Sequence, residues 1–169
     1  MMNYDLKIHL KDLKKEINIT KKDWMHRNQT NCYAYALGLD IIEQRICYRV
    51  YQVGTIGKKY YGISDKIFKL LSIEKRLYLD LEAIGIIYHE IDPMEKTDDN
   101  SWNISLFSSD VYYDFHFLRK ISTNTSWTHK MGWFEPPKNK DDDDSIIYDP
   151  RYCYLQHYRY EKSLNLRKR

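Results

Sequence analysis

The chain has no apolar stretch long enough to cross a bilayer, so a membrane-integral protein is not expected. Its first residues, Met1-Met2-Asn3-Tyr4-Asp5, lack the basic-then-apolar pattern of a secretory leader. Cysteine is scarce, with Cys32, Cys47 and Cys153 the only three in 169 residues. An odd number without a leader points to free thiols in a reducing compartment. A cytoplasmic location, or delivery by a route that the sequence does not display, is therefore expected. No two cysteines stand as Cys-x-x-Cys, which removes a structural zinc site built on that spacing. A dominant charge is lacking too. The 27 Lys and Arg against 24 Asp and Glu leave a formal charge of +3, too small to argue for a nucleic-acid partner. The basic end, Leu166-Arg167-Lys168-Arg169, reads as a solvated terminus. The run Asp141–Asp144 reads as a solvated loop, because adjacent carboxylates repel one another.

What is present fits one compact domain over residues 1–169, with neither repeat nor long linker. Residues 1–30 form an N-terminal segment, and the basic tail 160–169 is expected to be mobile. Residues 4–17 carry both helical and strand spacing and lean towards helix. From residue 31 the pattern is clearer. Thr30 or Asn31 can cap a helix whose apolar side is Tyr33, Ala36, Leu37 and Ile41. Ser64 can cap another, carrying Ile67, Leu70 and Leu71, with Leu77 as a candidate extension. Residues 83–91 and 102–107 read as strands. Residues 111–121 and 126–131 read as a hairpin around Ser122–Thr125, and residues 146–160 as a last strand. Helices first and adjacent antiparallel strands afterwards make an α+β pattern.

Cys32 falls at a predicted helix start, where the helix dipole favours a thiolate and unpaired N–H groups can face an oxyanion. The same residue can instead be a small buried apolar side chain. A nucleophile needs a base, and histidine suits that role near neutral pH. A hairpin turn centred between Ser122 and Thr123 sets His116 directly opposite His129. A turn centred between Thr123 and Asn124 sets them one diagonal step apart, still only about 7–8 Å. Either register puts both rings on one face, and a one-residue shift would separate them. Asp114 and Leu118 share that face with His116, and Trp127 and Met131 share it with His129. Trp127 is thus a candidate wall of a substrate site. Asp114 is a candidate orienting group, although i and i+2 on one strand point in parallel.

A cysteine at a helix start, a histidine on a strand and a third polar residue on the next strand is an order that resembles the papain-like cysteine peptidases, the NlpC kind among them. There the third residue is commonly a histidine at a distance similar to the 13 residues from His116 to His129. A narrower group of papain-like proteins is similar in four elements, matched here by NCYAYA at 31–36, DFHFLR at 114–119, WTHKMG at 127–132 and IIYDP at 146–150. Thr128 stands where serine is common, and the Asp141–Asp144 run replaces a short glycine-containing turn.

The resemblance implies N-terminal helices packed on an antiparallel sheet, a nucleophilic Cys32, a base at His116 and an orienting His129. Asp149 is the alternative third residue, although a turn residue before Pro150 is the preferred reading of it. Asn28, Gln29 or Asn31 would support the oxyanion, since papain-like enzymes often place an amide side chain shortly before the cysteine. The implied activity is a cysteine peptidase or amidase acting on a peptide or protein substrate through a thioester, with neither metal nor other cofactor. An acyl-transferase or deamidase on the same scaffold, an inactive papain-like interaction module, and zinc held by Cys32, His116 and His129 are the alternatives.

Overall fold

The computed structural model describes residues 31–39, 52–111, 114–121, 127–130, 138–139, 149–152, 155 and 157–169. The chain is an α+β protein: short helices come first and an antiparallel sheet follows. We number the helices α1 (Cys32–Ala36), α2 (Thr55–Tyr61), α3 (Asp65–Lys69) and α4 (Ile73–Ile84). The strands are β1 (Ile86–Ile91), β2 (Ser101–Ser109), β3 (Asp114–Ile121), β4 (Thr128–His129), β5 (Lys138–Asn139) and β6 (Arg159–Lys168).

Three of the helices start at a side-chain cap. Asn31 Oδ1 accepts from Ala34 N at 2.9 Å, so Asn31, not Thr30, caps α1. Ser64 caps α3 as expected, but that helix ends at Lys69. A second serine, Ser72, caps the longer α4. Gly85, at φ 74°, ends α4 in the left-handed region that glycine tolerates best. The chain then turns directly into β1.

The sheet runs β1-β6-β2-β3-β4-β5, and each neighbouring pair is antiparallel. The basic tail departs from expectation. Residues 159–168 form β6, inserted between β1 and β2, and within the expected strand at 146–160 the residues Pro150–Tyr152 form a 3-10 turn. Leu164 and Leu166 alternate into the helix-side core. The intervening Ser163 and Asn165 look like solvent-facing residues in the sequence, yet both are buried. Ser163 shares a 2.6 Å hydrogen bond with Ser105, and Asn165 donates to Asn103 Oδ1 at 2.9 Å. Cross-strand hydrogen bonds thus let a polar face lie inside the protein.

The main core lies between the helices and one face of the sheet, with Trp102, Ile104, Leu106 and Phe117 against Tyr33, Leu77 and Leu81. A smaller cluster of Phe107, Leu118 and Trp127 occupies the opposite face. Helices α2 and α4 meet at Gly57, where a Cβ would lie 2.5 Å from the backbone of Leu79. Leu79 belongs to a helix that cannot yield, so Gly57→Ala is expected to destabilise the protein by about 1–3 kcal/mol. Urea unfolding checks this, and an unchanged midpoint would contradict the close approach.

The segment 4–17, the turn 122–125, the run Asp141–Asp144, and Cys47 and Cys153 lie outside the described residues. No described helix is long and apolar enough to cross a membrane.

Candidate active site

Helix α1 is short, and its position depends on four side-chain contacts to other elements. Tyr33 donates its hydroxyl to Asp80 at 2.6 Å. The hydroxyls of Tyr35 and Thr128 share a hydrogen bond at 2.7 Å. The last carbonyls of a helix have no partner within it, and tertiary donors reach two of them here. Arg119 Nη1 donates to Tyr35 O at 3.1 Å, and Trp102 Nε1 donates to Ala36 O at 2.9 Å. The Arg119 guanidinium also lies over the Tyr35 ring, where its charge complements the negative end of the helix. The elements NCYAYA, DFHFLR and WTHKMG therefore interlock through Tyr35, Arg119 and Thr128. A serine at 128 would carry the same hydroxyl.

Asp80 is an anchor that the sequence pattern did not single out. It is fully buried on α4 and accepts from Tyr33 Oη, Gly54 N and Gly57 N, each at 2.6 Å. Burial pushes its carboxyl up to about 6, against the lowering effect of the Gly57 N–H, the Tyr33 hydroxyl and the Gly54 N–H. A signal was available. Leu77, Asp80, Leu81 and Ile84 make one helical stripe, so an acid occupies a position where an apolar residue would be expected.

The hairpin takes the second of the two expected registers. Leu118 pairs with His129 and Arg119 with Thr128, which leaves His116 one diagonal step from His129. His116 Nε2 lies 3.4 Å from His129 Nδ1, with the rings at 84° and 5.5 Å between centroids. Both residues are buried. Burial, helped by the neighbouring His129, pushes the His116 ring down to about 3, so it is neutral at physiological pH.

Cys32 stands first in α1, also buried. Burial pushes its thiol up to about 12. The main chain of Phe117 is the largest influence in the other direction, so the sulfur sits beside the residue that follows His116. Phe115 and Phe117 pack on Tyr33, on the helix side of β3. Strand alternation puts His116 on the other face, where its ring centroid lies 6.2 Å from that of Tyr158. The Cys32 sulfur thus lies beside Phe117 on one side of β3 while His116 projects from the other side one residue earlier, and among the described residues no hydrogen bond joins Cys32 to either ring.

The other candidates have partners of their own. Asp149 is held by Arg151, whose Nε lies 2.9 Å from both carboxylate oxygens, and it hydrogen-bonds to neither imidazole. It is a turn residue ahead of Pro150, not an orienting group. Asp114 accepts from Tyr158 Oη at 2.7 Å, which makes it a partner of the tyrosine beside His116 and not of His116 itself. Trp127 is fully buried in the cluster with Phe107 and Leu118, so it is a core residue and not an open wall. The Oδ1 of Asn31 is taken up by the helix cap, and Asn28 and Gln29 lie outside the described residues. No group of three or more metal-ligating side chains occurs among the described residues.

Comparison with protein-family models, with curated proteins and with solved structures gave no match for this chain.

Proposed function

We propose that the chain is a papain-like cysteine hydrolase of amide bonds, a peptidase or amidase, with Cys32 as nucleophile, His116 as base and His129 orienting the base. The observation that supports this reading best is the 3.4 Å approach of His116 Nε2 to His129 Nδ1, one residue along β3 from the main chain beside the Cys32 sulfur. With Nε2 committed to His129, Nδ1 is the nitrogen left for a thiol. Both Cys32 and His116 are uncharged at rest. The base therefore takes the thiol proton as the sulfur attacks, without a thiolate formed beforehand. Sulfur adds to the acyl carbon, and His116 returns that proton to the departing amine. Water, deprotonated by the same ring, then cleaves the thioester and releases the acid and the thiol. Cys32 and His116 lie on opposite sides of β3, so the mechanism requires the Cys32 end of α1 to move to the imidazole side when substrate binds.

The test is alkylation of Cys32 by iodoacetamide at pH 7, located by peptide mass, in the wild type and in His116→Ala. Labelling of Cys32 that slows about tenfold or more without the imidazole is expected. An inert Cys32, or one labelled equally fast in both proteins, would sink the hydrolase reading.

The pH profile gives a second check. A ring pushed down to about 3 keeps its basic form far below the 6.5 of an ordinary histidine. The acid limb of kcat/KM is expected near that lower value, since kcat/KM follows groups of the free enzyme. A limb centred between pH 6 and 7 would contradict the burial of His116.

One observation favours a second reading, an inactive papain-like module. The sulfur is buried, its thiol is held protonated, and Phe115 and Phe117 turn the helix side of β3 away from the imidazoles. The alkylation experiment separates the two.

A further inference from the structure

Away from Cys32, a groove runs between α3 and the outer face of α4. Ile63, Ile67 and Leu71 form one wall, and Lys75, Tyr78 and Leu79 the other, around about 310 Å³. That volume lies at the small end of ligand and anchor sites. Its rim exposes apolar residues that folding left uncovered: Ile67 is 56% exposed and Leu70 82%. Apolar residues exposed side by side at the rim of a concavity suit an interaction site.

The charge around the groove is mainly positive, with Glu82 the one carboxylate among its lining residues. Residues 58–76 hold six basic and two acidic side chains. Both acids are neutralised within the protein, Asp65 by Lys58 and Glu74 by Lys162. Lys59, Lys66, Lys69 and Lys75 remain exposed, and none has an ion pair among the described residues. Glu82, at the groove's end, accepts from the Tyr88 hydroxyl at 3.0 Å. Helix α3 is held by Phe68, whose ring lies under Arg76 at 4.5 Å and Lys58 at 5.2 Å. The lysines on its outer side are therefore carried on a fixed support.

We propose that this groove docks an acidic amphipathic segment of a partner protein, its apolar side chains inside and its carboxylates on Lys66, Lys69 and Lys75. A flat lipid surface would reach Ile67 and Leu70 but not Leu71 and Leu79, which are recessed. A second copy docking through the same face would set lysine against lysine.

The test uses the full chain and two fluorescent helical peptides. Both have leucine along one side, one with glutamate and the other with lysine on the remaining positions. Anisotropy is expected to show the glutamate peptide binding about tenfold or more tightly than the lysine peptide. Ile67→Glu and Lys66→Glu/Lys69→Glu are each expected to weaken it by a similar factor, and added salt should weaken it too. Both changes are on exposed residues, and circular dichroism checks that the variants fold. Equal binding of the peptides, no binding, or indifference to both variants would overturn the proposal. So would phosphatidylserine vesicles that bind through the same residues, which would assign the face to a membrane. Self-association that Ile67→Glu abolishes would assign it to a second copy and overturn the proposal as well.

Discussion

On the proposed thiol mechanism, Cys32→Ala is expected to remove turnover by roughly 10⁴-fold or more, because it deletes the atom that would form the covalent intermediate. Mass spectrometry of a peptide-amide library incubated with each protein reads this even while the substrate is unidentified. The same spectra separate a cleaved chain from a deamidated or cross-linked one. Cys32 is a small side chain in a site with room for alanine, so stability should fall by only about 1 kcal/mol. His116→Ala is expected to lose roughly 10²–10⁴-fold, the range of one general base. His129→Ala should keep a slow remainder larger than that of His116→Ala, since it acts through the other ring. A Cys32→Ala protein with wild-type turnover would end the thiol mechanism whatever the fold.

The largest effect on stability is expected from Asp80→Ala. It would leave the Tyr33 hydroxyl and the N–H groups of Gly54 and Gly57 without their acceptor in the interior. Each buried donor left unpaired costs about 1–3 kcal/mol, so a loss of about 4 kcal/mol is a moderate expectation. For a domain of this size that corresponds to a fall in Tm of roughly 10 °C. Tyr33→Phe removes one of the three bonds and should lose about 1 kcal/mol. A Tm unchanged in Asp80→Ala would mean that the carboxylate does not tie α1 to α2 and α4.

Asp80 and His116 also pull the pH dependence of stability in opposite directions. Burial raises Asp80 to about 6 from 3.8. Between those values the folded state binds the extra proton, so this contribution to stability falls as pH rises and levels off above 6. Burial lowers His116 to about 3 from 6.5, so the unfolded state binds the extra proton and stability rises with pH across that interval. The two partly cancel between about pH 4 and 6. Asp80→Asn removes the first and keeps the second. Its stability is therefore expected to drop more steeply than the wild type's as pH falls from 6 to 4, which denaturant midpoints at a series of pH values would read.

Local signals carried much of the fold because they act within a few residues. Asn31 and Ser64 cap the helices they precede, since a short polar side chain can reach an unpaired N–H only three residues on. The alternation around His116 and His129 put both rings on one face for the same reason, a strict period of two. The 3.4 Å approach of the rings then followed from which of two turns the chain adopts, and that choice lay outside local pattern.

The α+β order, a cysteine at the start of a capped helix, and two histidines within reach across a hairpin were all legible from the order of residues alone. The place of residues 159–168 as an inner strand was not, because the partners that satisfy Ser163 and Asn165 lie about sixty residues away on β2. Long-range packing likewise made Trp127 a core residue, gave Asp149 to Arg151, and set Asp80 as the anchor of the cysteine helix. It also left Cys32 on the helix side of β3 and the imidazoles on the other, a relation set by how a helix packs on a sheet. Periodicity fixes which face of its own element a side chain occupies, whereas packing between distant elements fixes what that face meets.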